Sequence, residues 1–132
     1  MPAQLTSFVV SISAQETRAR ILIGSGWVAA GHGNAPQAQS AHRAGLAAAM
    51  ASGNLPVTSG AVEGLADTCL LAGDAERAAV LLGAGAALRG APPSDDRDVA
   101  RVLTEAERLL GPRHYLDARQ RSRTSSGAAT SR

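Results

Sequence analysis

The run Leu71-Ala72-Gly73-Asp74-Ala75-Glu76-Arg77-Ala78 lies between two stretches of one helical periodicity, and its reading decides the fold. Upstream of it, Val62, Leu65, Ala66, Cys69 and Leu70 fall at i, i+3, i+4, i+7 and i+8, the spacing of one face of an amphipathic helix. Downstream, Ala78, Leu81, Leu82, Gly85 and Ala86 repeat the pattern. Between them Asp74 is placed to cap the second helix, because a carboxylate there accepts from unpaired first-turn amides and opposes the helix dipole. The spacing therefore predicts two antiparallel helices joined by a tight turn.

Working outward, the same layout occurs 40 residues earlier: Gly24, Gly33, Asn34, Ala38, Ala44, Gly45 and Ala47 align with Gly64, Gly73, Asp74, Ala78, Ala84, Gly85 and Ala87. This is an internal repeat. Its first copy reads as a helix from about Glu16 to Gly31, a Gly-Asn-Ala-Pro turn, and a helix from Pro36 to about Ser52, with Pro36 in a first turn that tolerates it. After Pro92-Pro93, the stripe Val99, Val102, Leu103, Ala106 and Leu110 predicts a helix from Ser94, its expected N-cap, to Leu110. Asp95, Asp96 and Asp98 fall in its first turn, and Gly111-Pro112 ends it. A short helix is expected over Arg113–Arg119. Residues 120–132 have nothing apolar enough to pack and read as a disordered tail. Residues 1–17 read as an N-terminal arm, since Phe8-Val-Val-Ser-Ile is too short to separate helix from strand.

Composition narrows the class. The 132 residues (13.4 kDa) are 45% hydrophobic by type, but 28 of those residues are Ala and only one each is Phe, Trp and Tyr. A core built from them needs close helix packing. All 13 basic residues are Arg. Without lysine the chain has neither a P-loop lysine for nucleotide phosphates nor an amine for Schiff-base chemistry. The single Cys69 has no partner for an internal disulfide and no spacing for a zinc site, and reads as a small core residue in a reducing, cytoplasmic compartment. No Lys or Arg precedes the mildly apolar Phe8–Ala14 stretch, so no secretory signal is expected, and no run is long enough to span a bilayer. Net charge is +2, −4 and +4 over residues 1–57, 58–112 and 113–132, so the basic character sits at the end.

Each helix pair resembles a tetratricopeptide-type repeat. Leu65-Ala66, Cys69, Ala78, Leu82 and Gly85 carry the likeness in the second copy, and Gly26, Ala29, Ala38, His42 and Gly45 in the first. The small positions fit, the aromatic ones do not, and the offset of 40 exceeds the usual 34. Residues 58 to about 119, with Glu63-Gly64-Leu65-Ala66, Leu71 to Ala84, Ala87-Leu88-Arg89 and the later Arg113-His-Tyr-Leu-Asp-Ala-Arg119, are similar to the C-terminal helical-repeat region of large bacterial ATP-dependent transcriptional regulators of the LuxR and SARP type. That resemblance implies a role in sensing or binding partners. The ATPase and DNA-binding modules of such regulators are not in this sequence, and the opening Met-Pro fits a stand-alone derivative or a truncated gene.

Candidate sites are few. Gly24-Ser-Gly26-Trp-Val-Ala29 after Arg20-Ile-Leu-Ile matches the dinucleotide-binding fingerprint, but no acidic residue lies between Glu16 and Glu63 to hold a ribose. Glycines at a helix crossing explain it better. His32, His42 and His114 are too scattered for a metal site or general base, and His42 reads as a partly buried packing residue. Glu63 and Asp67, at i and i+4, read as a solvated acidic face. The Arg-rich end, with Arg113, Arg119, Arg121, Arg123 and Arg132, offers weak electrostatic contact with nucleic acid and otherwise solubilises.

The expectation is an all-α, tetratricopeptide-like array of antiparallel hairpins over residues 18–119. Two repeats and a partial cap bury little surface, which calls for self-association or a larger protein partner. The function expected is a non-enzymatic interaction module, with no catalytic residue, cofactor or metal. Its partner surface is expected where the first helix of each pair lines a concave face, around Leu22, Trp27, Val62 and Glu63. The alternatives are a small nucleotide- or ligand-binding protein using Gly24–Gly31 and a basic-tailed nucleic-acid accessory.

Overall fold

The turns that organise the molecule are the two read from the repeat. In a computed structural model describing residues 3–90 and 96–130, with side chains through Ser122, Gly33 and Gly73 take φ of 76° and 83°, the left-handed conformation that glycine closes a helix with. The Asn34 and Asp74 amides then donate back to the carbonyls of Ala29 (3.0 Å) and Cys69 (2.8 Å), partners again 40 residues apart. Asn34 and Asp74 cap the helices that follow, their Oδ1 atoms accepting from Gln37 N at 3.2 Å and Arg77 N at 3.0 Å.

Six helices result: α1 (Ala3–Gly31), α2 (Ala35–Ser52), α3 (Leu55–Leu71), α4 (Ala75–Arg89), α5 (Arg97–Leu110) and α6 (Pro112–Thr130). The described residues contain no strand, and the chain is all-α as expected. α1 pairs with α2 and α3 with α4, and the hairpins join through Gly53 (φ 73°) and Asn54, whose side chain accepts from Val57 N at 3.0 Å. Within each pair the helices cross at a glycine. A Cβ on Gly45 would stand 3.0 Å from Ile23 Cγ1 and 3.5 Å from the Ala19 carbonyl; one on Gly85 would stand 3.2 Å from Glu63 Cγ and 3.6 Å from the Ser59 carbonyl. Ala19 and Ile23 correspond to Ser59 and Glu63 at the same offset, so the repeat is one of packing as well as of sequence.

α3 is central, packed against α1, α2, α4 and α5. The larger cluster of buried side chains joins Ala66, Ala78, Ala79, Leu82, Val102, Ala106, Tyr115 and Ala118. The smaller joins Ala19, Ala48, Ala49 and Val57 under the first hairpin. Most of these residues are Ala, so the stabilisation comes from backbones brought close together.

Three boundaries differ from expectation. Residues 3–17 are no separate arm but the first half of α1, because Leu5, Phe8 and Ile12, at i, i+3 and i+7, continue the helical face of Ala19, Ile23 and Gly26, at i, i+4 and i+7. α1 is consequently about 43 Å long against about 27 Å for α2, from 29 and 18 residues. α5 is capped by Asp96, accepting from Asp98 N at 2.8 Å; the expected cap Ser94 lies outside the described residues. α6 continues through residues 120–130, where a tail was expected. Tyr115 and Ala118 bury it against the second hairpin, and a Cβ on Gly83 would run into the Arg119 carbonyl, so α4 and α6 touch backbone to backbone. Arg121, one turn on, pairs with Glu76 of α4.

Candidate interaction groove

α1 and α3 run alongside each other with a groove of about 370 Å³ between them, which reaches the head of α5. Arg20, Ile23, Gly24 and Trp27 line it from α1, a face set by 3–4 residue spacing, and Pro56, Val57 and Gly60 line it from α3. Asp96 stands at the α5 end. The lining joins the apolar side chains of Ile23, Trp27, Pro56 and Val57 with a guanidinium and a carboxylate. Gly24 and Gly60 are both helix-interior, and a Cβ on either would meet nothing within 4 Å. Each costs its helix about 1 kcal/mol relative to Ala, and packing does not explain that cost. Both glycines line the groove with no side chain in it.

Trp27 is half-buried, and its indole meets the imidazole of His42 edge to face, ring centres 5.6 Å apart at 76°. His42, on α2, is fully buried, and neither ring nitrogen has a hydrogen-bond partner. It fills a slot made by Gly26 of α1 and Gly64 of α3; a Cβ on either glycine would fall within the ring's own volume. Burial alone pushes the imidazole pKa down to about 4, so the ring is neutral at pH 7. The packing role expected of His42 holds, but the residue is wholly rather than partly buried. A flat ring between two glycine backbones occupies the position that Leu82 fills in the second hairpin.

The structure separates the four residues expected on the partner surface. Trp27 lines the groove, whereas Leu22 faces a second apolar depression on the outer side of α1, with Val9, Val10, Ser13, Ile21 and others. Val62 and Glu63 are no surface at all, being 8% and 5% exposed. They belong to the helix that four others surround. The reading of Glu63 and Asp67 as a solvated face is overturned for the same reason. Glu63 pairs with Arg89 of α4, and Asp67, 2% exposed, lies 3.5 Å from Arg101 of α5. Burial raises both carboxyl pKa values, while Arg89 and Arg101 respectively oppose the rise. Ser59, one turn before Glu63, donates to the Gly85 carbonyl at 2.8 Å. Ser59, Glu63 and Asp67 thus form a buried polar row that ties α3 to its neighbours.

The fingerprint at Gly24–Ala29 lies mid-helix, with Gly26 against His42. A dinucleotide needs such glycines before a helix N-terminus, where unpaired amides face the pyrophosphate, and α1 presents none there. His32 is exposed at the end of α1, and His114 Nε2 stands 3.5 Å from Glu76, whose pKa the Arg121 and His114 contacts lower. Among the described residues no three His, Cys, Asp or Glu side chains gather as a metal site, and no helix is long and apolar enough to cross a membrane. Of the Arg-rich end, Arg119 lies over the Tyr115 ring at 5.6 Å and Arg121 is paired; the side chain of Arg123 and all of Arg132 lie outside the described residues. Cys69 is half-buried, and burial pushes its thiol pKa up.

Sequence reasoning found Trp27 but missed Arg20, Ile23, Val57, Gly60 and Asp96. Gly24 was read as a crossing glycine; Gly26, against His42, has that role, and Gly24 does not. Its repeat mate Gly64 is packed while Gly24 is open, a contrast that one sequence does not display. No protein-family model, no curated protein and no solved structure matches this chain.

Proposed function

We propose that the chain is a non-enzymatic protein-interaction module, a tetratricopeptide-like array of two hairpins and a closing helix pair, whose α1–α3 groove takes a short peptide segment of a partner protein. The observation that carries this reading is the pair of helix-interior glycines, Gly24 and Gly60, which face the same groove and have no packing reason to be glycine. Locally unfavourable residues that structure does not compensate are expected at functional positions. The groove suits a large apolar anchor beside Trp27, flanked by an acidic group toward Arg20 and a basic one toward Asp96. The similarity of residues 58–119 to the repeat region of ATP-dependent regulators supports a sensing or scaffolding role of this kind.

The test is selection of peptides from a random display library on the whole protein, with the emission of Trp27, the sole tryptophan, as the binding signal. Gly60→Leu places its Cβ in open space at the groove wall, so its melting temperature should not fall. Enriched peptides should carry a large apolar residue, shift Trp27 emission, and bind Gly60→Leu at least about 10-fold more weakly, a loss of about 1.4 kcal/mol. Equal binding to wild type and Gly60→Leu, or selection that enriches nothing, overturns the reading.

A further inference from the structure

The buried face of α1 does not stop where its cover stops. Ala19, Ile23 and Gly26 pack toward α2 and α3, and the same face continues N-terminally as Ile12, Phe8 and Leu5. α2 ends at Ser52, and the turn after it is level with Glu16, since Asn54 Nδ2 donates to Glu16 Oε1 at 2.6 Å. Beyond that level no described residue lies over α1. Leu5, Phe8 and Val9 are 45%, 62% and 49% exposed.

We propose that this projecting half of α1 is a self-association surface, on which two copies of the chain pair antiparallel, each laying Leu5, Phe8 and Ile12 against the same residues of the other and over the open end of its first hairpin. The surface is separate from the peptide groove and does not depend on it.

Charge is the first reason to choose a second copy as the occupant. From Ala3 to Gln15 there is no Asp, Glu, Lys, Arg or His, in a protein 18% of whose residues are charged. A charged partner would find nothing to complement here, whereas two uncharged stripes meet without repulsion. An isologous contact requires a surface that complements itself, and an antiparallel pair centred near Phe8 satisfies that.

Area is the second reason. Met50 and Leu55, 65% and 56% exposed, flank the turn that carries Asn54 and so lie at the same end of the hairpin, where the partner's helix would pass. With Leu5 and Phe8 they expose on the order of 300 Å² of apolar surface per protomer, taking about 100–150 Å² for a large side chain. At the usual apolar share of an interface this corresponds to about 1,000 Å² in total, the lower bound for a specific, reversible dimer.

The test is sedimentation equilibrium of the full chain over a concentration series reaching about 100 μM, the range in which a contact of this size is populated. Wild type should shift reversibly from monomer to dimer. Phe8→Glu and Phe8→Arg should each remain monomeric with helical circular dichroism retained, and a 1:1 mixture of the two should recover the dimer, because position 8 lies near its own mate across the two-fold axis. Gly60→Leu should dimerise as wild type does. A wild-type monomer throughout the series overturns the proposal, as does a dimer that Phe8→Glu leaves intact. Co-sedimentation of wild type with phosphatidylcholine vesicles in place of dimerisation overturns it in favour of a lipid surface.

Discussion

The two hairpins share their turns and crossing points and differ in what packs there. Turns, caps and the glycine crossings superpose at an offset of 40 residues, yet Ala19, Ile23 and His42 in the first stand where Ser59, Glu63 and Leu82 stand in the second. The first hairpin buries small apolar groups and one unpaired imidazole. The second buries a hydroxyl and two carboxylates, paired to α4 and α5. Geometry is thus set by the small residues and caps, which the copies keep, while the crossing chemistry depends on what lies outside each hairpin. α3 is enclosed by helices bearing arginines, so its buried carboxylates have partners. α1 is open on its outer side and carries no buried charge.

The largest effect expected from breaking this contrast comes at Glu63. Glu63→Ala strands the mostly buried Arg89 and should cost about 3–5 kcal/mol in chemical denaturation. Replacing both partners, Glu63→Ile with Arg89→Leu, makes the second hairpin resemble the first and should be close to neutral. If the double variant is as damaged as the single one, the pair is doing something beyond compensating its own burial.

Gly64 and Gly24 sharpen the comparison from the other side, being the same position in the two copies. Gly64→Ala drives a methyl into the His42 ring and should cost about 2–3 kcal/mol by overpacking. Gly24→Ala meets only open space and should stabilise by about 0.5–1 kcal/mol. Thermal melts of the two variants should therefore move in opposite directions.

Acid should find the first hairpin before the second. The folded pKa of His42 is lowered from 6.5 to about 4, so the unfolded chain binds its proton first. The neutral ring's contribution is intact above pH 6.5 and is lost as pH falls toward 4, by about 3 kcal/mol in all. Glu63 and Asp67 act in the opposite sense, since their raised folded values favour the native state on protonation. The His42 share is therefore read as the difference between wild type and His42→Leu, whose stability should fall less between pH 6.5 and 4. Identical pH slopes would contradict a buried, unpaired imidazole.

The smallest effects should be equal. Asn34→Ala and Asp74→Ala each remove one capping acceptor, and each should cost about 1 kcal/mol, with parallel shifts in denaturation midpoint.

Much of the fold was legible because its determinants are local. Gly33-Asn34 and Gly73-Asp74 announce a turn within a few residues, and the stripe from Val99 to Leu110 announces α5. What was not legible is what depends on partners far along the chain. Glu63 meets Arg89 26 residues later and Asp67 meets Arg101 34 residues later, so i, i+4 reasoning saw two solvated carboxylates. The first half of α1 was obscured by Val9-Val10, which blurs the period, although Leu5, Phe8 and Ile12 keep it. In the candidate groove only Gly24 and Trp27 were singled out, because Arg20, Gly60 and Asp96 come from three helices whose juxtaposition no spacing rule contains.

The enclosure of α3 also bears on how the molecule breathes. From Val57 to Thr68 nearly every residue is buried, so these amides can meet solvent only when the surrounding helices separate together. They should be the last to exchange in deuterated water, with a free energy of opening equal to that of global unfolding. The projecting half of α1, with no cover to lift, should exchange early, and the distance between those two rates would divide the chain into a part that opens residue by residue and a part that opens only as a whole.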